Sequence, residues 1–205
     1  VLSSPITQGM ISGYGWSIAM IVTAISVCLI VPLAFTLPSD PRVRDENVVH
    51  TGSIGAIREA FAHRGFVLLT AGFFVCGFHV AFITVHLPIY VADLKLAPMV
   101  GAFAISLIGI FNIFGSLLSG AFGQRFSKKL GLSGIYALRA LVLTIFLLSP
   151  KTTEVIYLFA AIMGILWLST VPLTAGLVAQ VFGIRYMATL YGFVFLSHQI
   201  GSFIG

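Results

Sequence analysis

Charge is what this sequence has least of: 8% of its 205 residues are Asp, Glu, Lys or Arg, where a soluble domain carries roughly 25%. With 59% of the residues apolar, there is too little polar surface to cover a water-soluble fold. Cysteine is also scarce. Cys28 and Cys76 lie in different apolar stretches without ligand spacing, which excludes a disulfide framework or a zinc site and leaves both as packing residues. Acidic residues are missing from every long apolar run, and no G-x-S-x-G, H-E-x-x-H or phosphate-binding loop occurs. The sequence therefore indicates no enzyme, catalytic residue, metal or cofactor. Nucleic acid is not an expected partner either, because the net charge of +5 is scattered through short breaks rather than gathered in a stripe.

What is present is a series of long uncharged runs, such as residues 16–37, 66–92 and 96–124, each beyond the roughly 18 to 20 residues that cross a bilayer core. They are apolar on every face, so they do not read as barrel strands, which alternate. The expectation is an all-α, polytopic transmembrane helix bundle with the lipid bilayer as its surroundings. A helix end at 1–13 is followed by six spans at 16–37, 66–92, 98–123, 131–150, 155–182 and 186–205. The fifth uncharged run is longer than a bilayer needs, so a tilt or a re-entrant turn near Phe182 and Gly183 is expected. Residues 38–65 form the one hydrophilic linker and divide the chain into a first part, 1–37, and a second, 66–205. Within the linker, Ile54, Ile57 and Phe61 recur at helical spacing beside Arg58 and Glu59, predicting a short amphipathic surface helix.

Orientation follows from the basic residues. Arg42, Arg44, Arg58, Arg64, Arg125, Lys128, Lys129 and Arg185 lie on one side and only Lys95 and Lys151 on the other, which places the first group in the cytoplasm. The pairs Gly115 and Ser119, Ser116 and Gly120, and Gly201 and Gly205 have the small-x-x-x-small spacing that lets helices approach closely. Pro32, Pro88 and Pro172 each remove a backbone donor in or near a span, so kinks are expected there.

Arg139 is the one residue other than histidine that is ionisable within a span. It reads either as an anion-binding or gating cation in a cavity or as an arginine snorkelling to the cytoplasmic interface. His79 and His86 are seven residues apart on one helix face; they could line a cavity or bond between helices, and their spacing does not suit a shared metal. Tyr191 and His198 repeat that spacing, with Gln199 alongside, and Asn112, Trp167, Ser169 and Thr170 complete the candidate set of lining or interhelical polar residues.

The segment Gly120-Ala-Phe-Gly-Gln-Arg-Phe-Ser-Lys-Lys129 resembles the G-x-x-x-D-R-x-G-R-[RK] loop of major facilitator superfamily transporters. Gln124 stands for the acid and Ser127 for the glycine, while Arg125, Lys128 and Lys129 keep the basic cluster. Residues 77–88, 171–183 and 190–201 are similar to the bacterial monocarboxylate-transporter-like branch of that family. The resemblance implies a secondary transporter in the cell's inner (plasma) membrane, working by alternating access on a small-molecule substrate. Small organic anions such as monocarboxylates are the first expectation, with a co-transported proton as a candidate partner; export of neutral or lipophilic compounds is the alternative, and a non-transporting membrane scaffold a more distant one. It also implies that the spans are helices 6 to 11 and that the partners of this stretch include further helices of the same chain. Gly120, Gln124, Arg125, Lys128 and Lys129 would form a gating loop. That branch places an Asp and Arg pair on helix 8, where this sequence has Asn112.

Overall fold

A computed structural model describes residues 4–28 and 52–205, and all regular structure among them is helical. The chain divides into two compact units, at 3–50 and from 51 to 205. In the first, α1 (Ser4–Tyr14) and α2 (Trp16–Cys28) meet at Gly15, whose φ of +82° is open to a residue without a Cβ. The second half of the expected 16–37 span, and Pro32 with it, lie outside the described residues.

The second unit begins with α3 (Ser53–Ala62), a ten-residue helix in the linker. Ala56 and Ala60 are buried and the Phe61 ring sets its edge on Phe66 and Phe193, whereas Ile54 is 83% exposed. The amphipathic helix thus packs through Ala56, Ala60, Ile57 and the edge of Phe61, and of the expected stripe Ile54 alone turns away. A bend at His63 leads into α4 (Arg64–Asp93), followed by α5 (Pro98–Arg125), α6 (Lys128–Leu148), α7 (Thr153–Leu166), α8 (Thr170–Phe182) and α9 (Met187–Ile204). Five helical stretches in this unit have the length and apolar character to cross a membrane, with α7 and α8 together forming one of them.

Local chemistry sets the ends. Pro98 opens α5 where its missing N–H costs nothing. Lys151 folds back to donate to the carbonyls of Phe146 and Leu147 at 2.7 and 3.0 Å, closing α6. Thr152 caps α7, accepting from the Val155 amide at 3.4 Å, with Glu154 in the favourable first turn. Pro88 lies inside α4 without interrupting it.

Two glycine seams tie the bundle. A Cβ placed on Gly77 would lie 1.9 Å from the His198 carbonyl oxygen, and one on Gly201 would lie 2.1 Å from that of Phe74, so α4 and α9 touch backbone to backbone. In the same way a Cβ on Gly115 would meet the Ile165 oxygen at 1.9 Å and one on Gly164 the Ile108 oxygen at 2.7 Å, joining α5 to α7. Such close approach replaces the hydrophobic drive that lipid does not supply. The pairs read from Gly115 and from Gly201 lie in these seams; Gly120 faces open space. The apolar interior forms two clusters, one around Ile108, Phe146, Phe159 and Met163, the other around Phe66, Phe73, Val178 and Leu190.

Candidate functional site

Pro172 breaks the span from Thr153 to Phe182. Lacking an N–H, it cannot bond the carbonyl four residues back, and its ring presses on that carbonyl. The helix accordingly stops at Leu166 and restarts at Thr170, two residues before the proline. The interruption falls at residues 167–169, and not near Phe182 and Gly183, where α8 simply ends on a glycine with φ of +79°. In a membrane the backbone groups freed by such a break have no water to turn to.

Side chains from two other helices meet them. Arg139, on α6, is 2% exposed. Its Nε donates to the Leu166 carbonyl at 3.1 Å, one terminal nitrogen donates to the same oxygen at 2.6 Å and to that of Trp167, and the other donates to the Cys76 Sγ at 3.2 Å. The guanidinium also stands over the Tyr136 ring, 5.7 Å from its centroid. From α5, the Asn112 Oδ1 accepts from the Leu168 amide at 3.0 Å. The remaining carbonyl at the break, that of Leu168, takes the Val171 amide at 2.9 Å, and the Ser169 hydroxyl donates back to Ile165.

Arg139, Asn112 and Trp167, far apart in sequence, therefore converge on one interrupted helix. Arg139 reaches inward rather than to the interface, so it does not snorkel. Two residues join them that the sequence had presented only as packing or as a candidate: Cys76, on α4, and Thr170, whose hydroxyl lies 3.5 Å from the Cys76 thiol. His198, buried on α9, interacts with that same thiol, and its Nδ1 has no hydrogen-bond partner. The buried Thr174 and Tyr191 hydroxyls are also unpartnered. Tyr136, which donates to the Gly72 carbonyl at 2.8 Å, was not singled out by sequence. A signal for Cys76 did exist: it sits three residues before His79, on the same helix face.

The other candidates stand further off. His79 is half-buried one turn along α4, within the electrostatic reach of Arg139. His86 is exposed, its ring 4.7 Å from that of Phe82, on a stripe that includes Phe78 and Tyr90. Tyr191 lies against the Phe73 ring.

The basic loop turns sharply at Phe126 and Ser127 between α5 and α6. Gln124, Arg125 and Lys129 are exposed, while the Lys128 Nζ lies 3.4 Å from the Gln180 Oε1 and its stem crosses Gly176. Gly123 and Gly131 both pack on Leu173. The loop thus rests on α8, the second half of the interrupted span.

A family model for the Major Facilitator Superfamily matches residues 1–205. The chain belongs to that superfamily. With five membrane-length helical stretches among its described residues it is a multi-pass membrane protein, and its fold is an all-α bundle of the superfamily type. It is similar to YcxA of Bacillus subtilis (strain 168), described as an uncharacterized MFS-type transporter, at 26% identity over 217 residues. The match covers 98% of this chain and 50% of YcxA, so the chain spans half the length of that curated relative.

Proposed function

We propose that this chain works in a secondary active transporter that carries small organic anions, monocarboxylates among them, across the cell's inner membrane by alternating access. Superfamily membership supports transport, and one observation carries the choice of cargo: the buried charge of Arg139 meets carbonyl dipoles and a thiol, with no carboxylate against it among the described residues. Asp93 and Glu154 stand at helix ends, away from the break. A cation compensated by dipoles alone leaves a positive potential in a low-dielectric medium, and the N-terminus of α8 adds to it. An anion is what that field attracts.

Arg139 acts in this reading by its field and by holding the break, because its donors are engaged. The cargo would be met by half-buried and unpartnered groups around it, His79, Tyr191 and His198 foremost, with His86 and Trp167 further along the path. The unpartnered Nδ1 of His198 is the natural carrier for a co-transported proton, since the carboxylates of Asp93 and Glu154 stand at helix ends among the described residues. The loop of Gly120, Gln124, Arg125, Lys128 and Lys129 would gate by moving with α8, on which it rests.

A second reading, export of neutral or lipophilic compounds, draws on the exposed aromatic stripe of Phe78, Phe82 and Tyr90. Uptake into cells expressing the full-length protein separates the two. Labelled carboxylates competed by other carboxylates support the first, and competition by hydrophobic cations supports the second. Arg139→Gln is expected to abolish carboxylate uptake and Arg139→Lys, with charge but fewer donors, to retain part of it. Full uptake by Arg139→Gln would refute the role given to its charge.

A further inference from the structure

We propose that a groove at the basic end of the second unit binds an anionic glycerophospholipid. A cavity of about 650 Å³ opens there between the start of α4, the start of α6 and the end of α8. Its walls are apolar, with Phe66, Leu69, Leu132, Val178 and Phe182 among them. The Tyr136 hydroxyl in that wall is already committed to the Gly72 carbonyl beside it at 2.8 Å and offers no free donor. Polarity is confined to one end, where Lys129 and His63 stand, with the Ser133 hydroxyl beside them.

That distribution fits an amphiphile. A polar solute would find almost nothing to bond along the wall, whereas an acyl chain would cover apolar surface and leave its headgroup at the cationic rim. The surroundings supply such a molecule, because α4 and α6 are of membrane-spanning length and α8 is the second half of a third such stretch. The charge complements a phosphate: Lys129 lines the groove, Arg64, Arg125, Lys128 and Arg185 lie at the same end of the helices, and the acid there among the described residues is Glu59. Basic pockets between helices on the positively charged side recognise anionic headgroups through this combination of a buried chain and a surface cation. The inference rests on the membrane-spanning fold and not on the transport reading, so uptake assays do not bear on it.

Native mass spectrometry of the delipidated full-length protein, titrated with phosphatidylglycerol or with phosphatidylcholine of the same acyl chains, tests it. Phosphatidylglycerol should be retained about fivefold more, the scale of one lysine near a lipid headgroup. Lys129→Gln should erase that preference and leave phosphatidylcholine unchanged, and Lys129→Arg should keep it. Ser133→Phe, which fills the groove from an exposed position and leaves the charges, should reduce retention of both lipids. Thermal melting of each variant in detergent checks that these surface substitutions leave the fold intact, and Lys129→Arg carries the test if Lys129→Gln melts early. Equal retention of the two lipids, a preference that survives Lys129→Gln or disappears in Lys129→Arg, or unchanged binding in Ser133→Phe would overturn the proposal. Retention of neither lipid would mean that protein covers the groove and would overturn it as well.

Discussion

The glycine seams and the interrupted span hold the same bundle together by opposite means. Along α4 and α9, and along α5 and α7, contact depends on what is missing: a Cβ at Gly77 or Gly115 would fall 1.9 Å from a backbone oxygen. At the break, contact depends on what is supplied, because the carbonyls of Leu166 and Trp167 and the amide of Leu168 are met by Arg139 and Asn112. A seam of backbone against backbone has one arrangement and resists change. A break bridged by long side chains can be re-bridged, so the alternating access proposed above would draw its moving element from residues 167–169 rather than from the seams.

Substitutions that strike one region and spare the other sharpen this contrast. The largest effect is expected from Gly77→Leu or Gly115→Leu. Neither His198 nor Ile165 can withdraw a backbone oxygen without separating the helices, so the full-length protein should fail to accumulate folded, read as loss of the monodisperse peak in detergent. Normal accumulation would show that the seams open.

Arg139→Gln comes next. It leaves two buried carbonyls short of donors at about 1–3 kcal/mol each, so the melting temperature should fall by several degrees. Arg139→Lys should recover part of that loss. Asn112→Leu removes one acceptor from the Leu168 amide and should cost about 1–3 kcal/mol, while Asn112→Asp, which keeps an acceptor, should cost less; equal losses would mean that the bond to Leu168 carries no weight.

Pro172→Ala should have the smallest effect on stability and the clearest effect on motion. The restored N–H at residue 172 allows the helix to close across the break, so transport should slow while melting changes by no more than about 1 kcal/mol equivalent. Transport at the parental rate would remove the break from the moving parts.

Much of this could be read from the chain directly. The spans at 66–92, 98–123 and 131–150 match α4, α5 and α6 within a few residues, because a stretch that is apolar all round must bond its own backbone inside lipid and the helix does so locally. Pro172 announced the interruption in the same local way. The site was legible in its members and not in its roles. Arg139, Asn112, Trp167 and His198 stood out as polar groups where polarity is expensive, yet the spacing gave no sign that the first two address one backbone break. Cys76 was legible only through its spacing to His79, since a lone thiol in an apolar run otherwise looks like any other small packing residue.

The division has a physical basis. Composition and hydropathy determined the class and the helices, because these depend on each segment's own encounter with the membrane, while the family was legible in the 120–129 loop motif. Partnership was decided by the tertiary structure. The three donors of Arg139 reach Cys76 of α4 and the Leu166 and Trp167 carbonyls at the break, 63 and 27 to 28 residues away in sequence. No local periodicity encodes such a meeting. It exists because α6 packs beside both α4 and the α7–α8 break, so that one guanidinium reaches the thiol of the first and the carbonyls of the second.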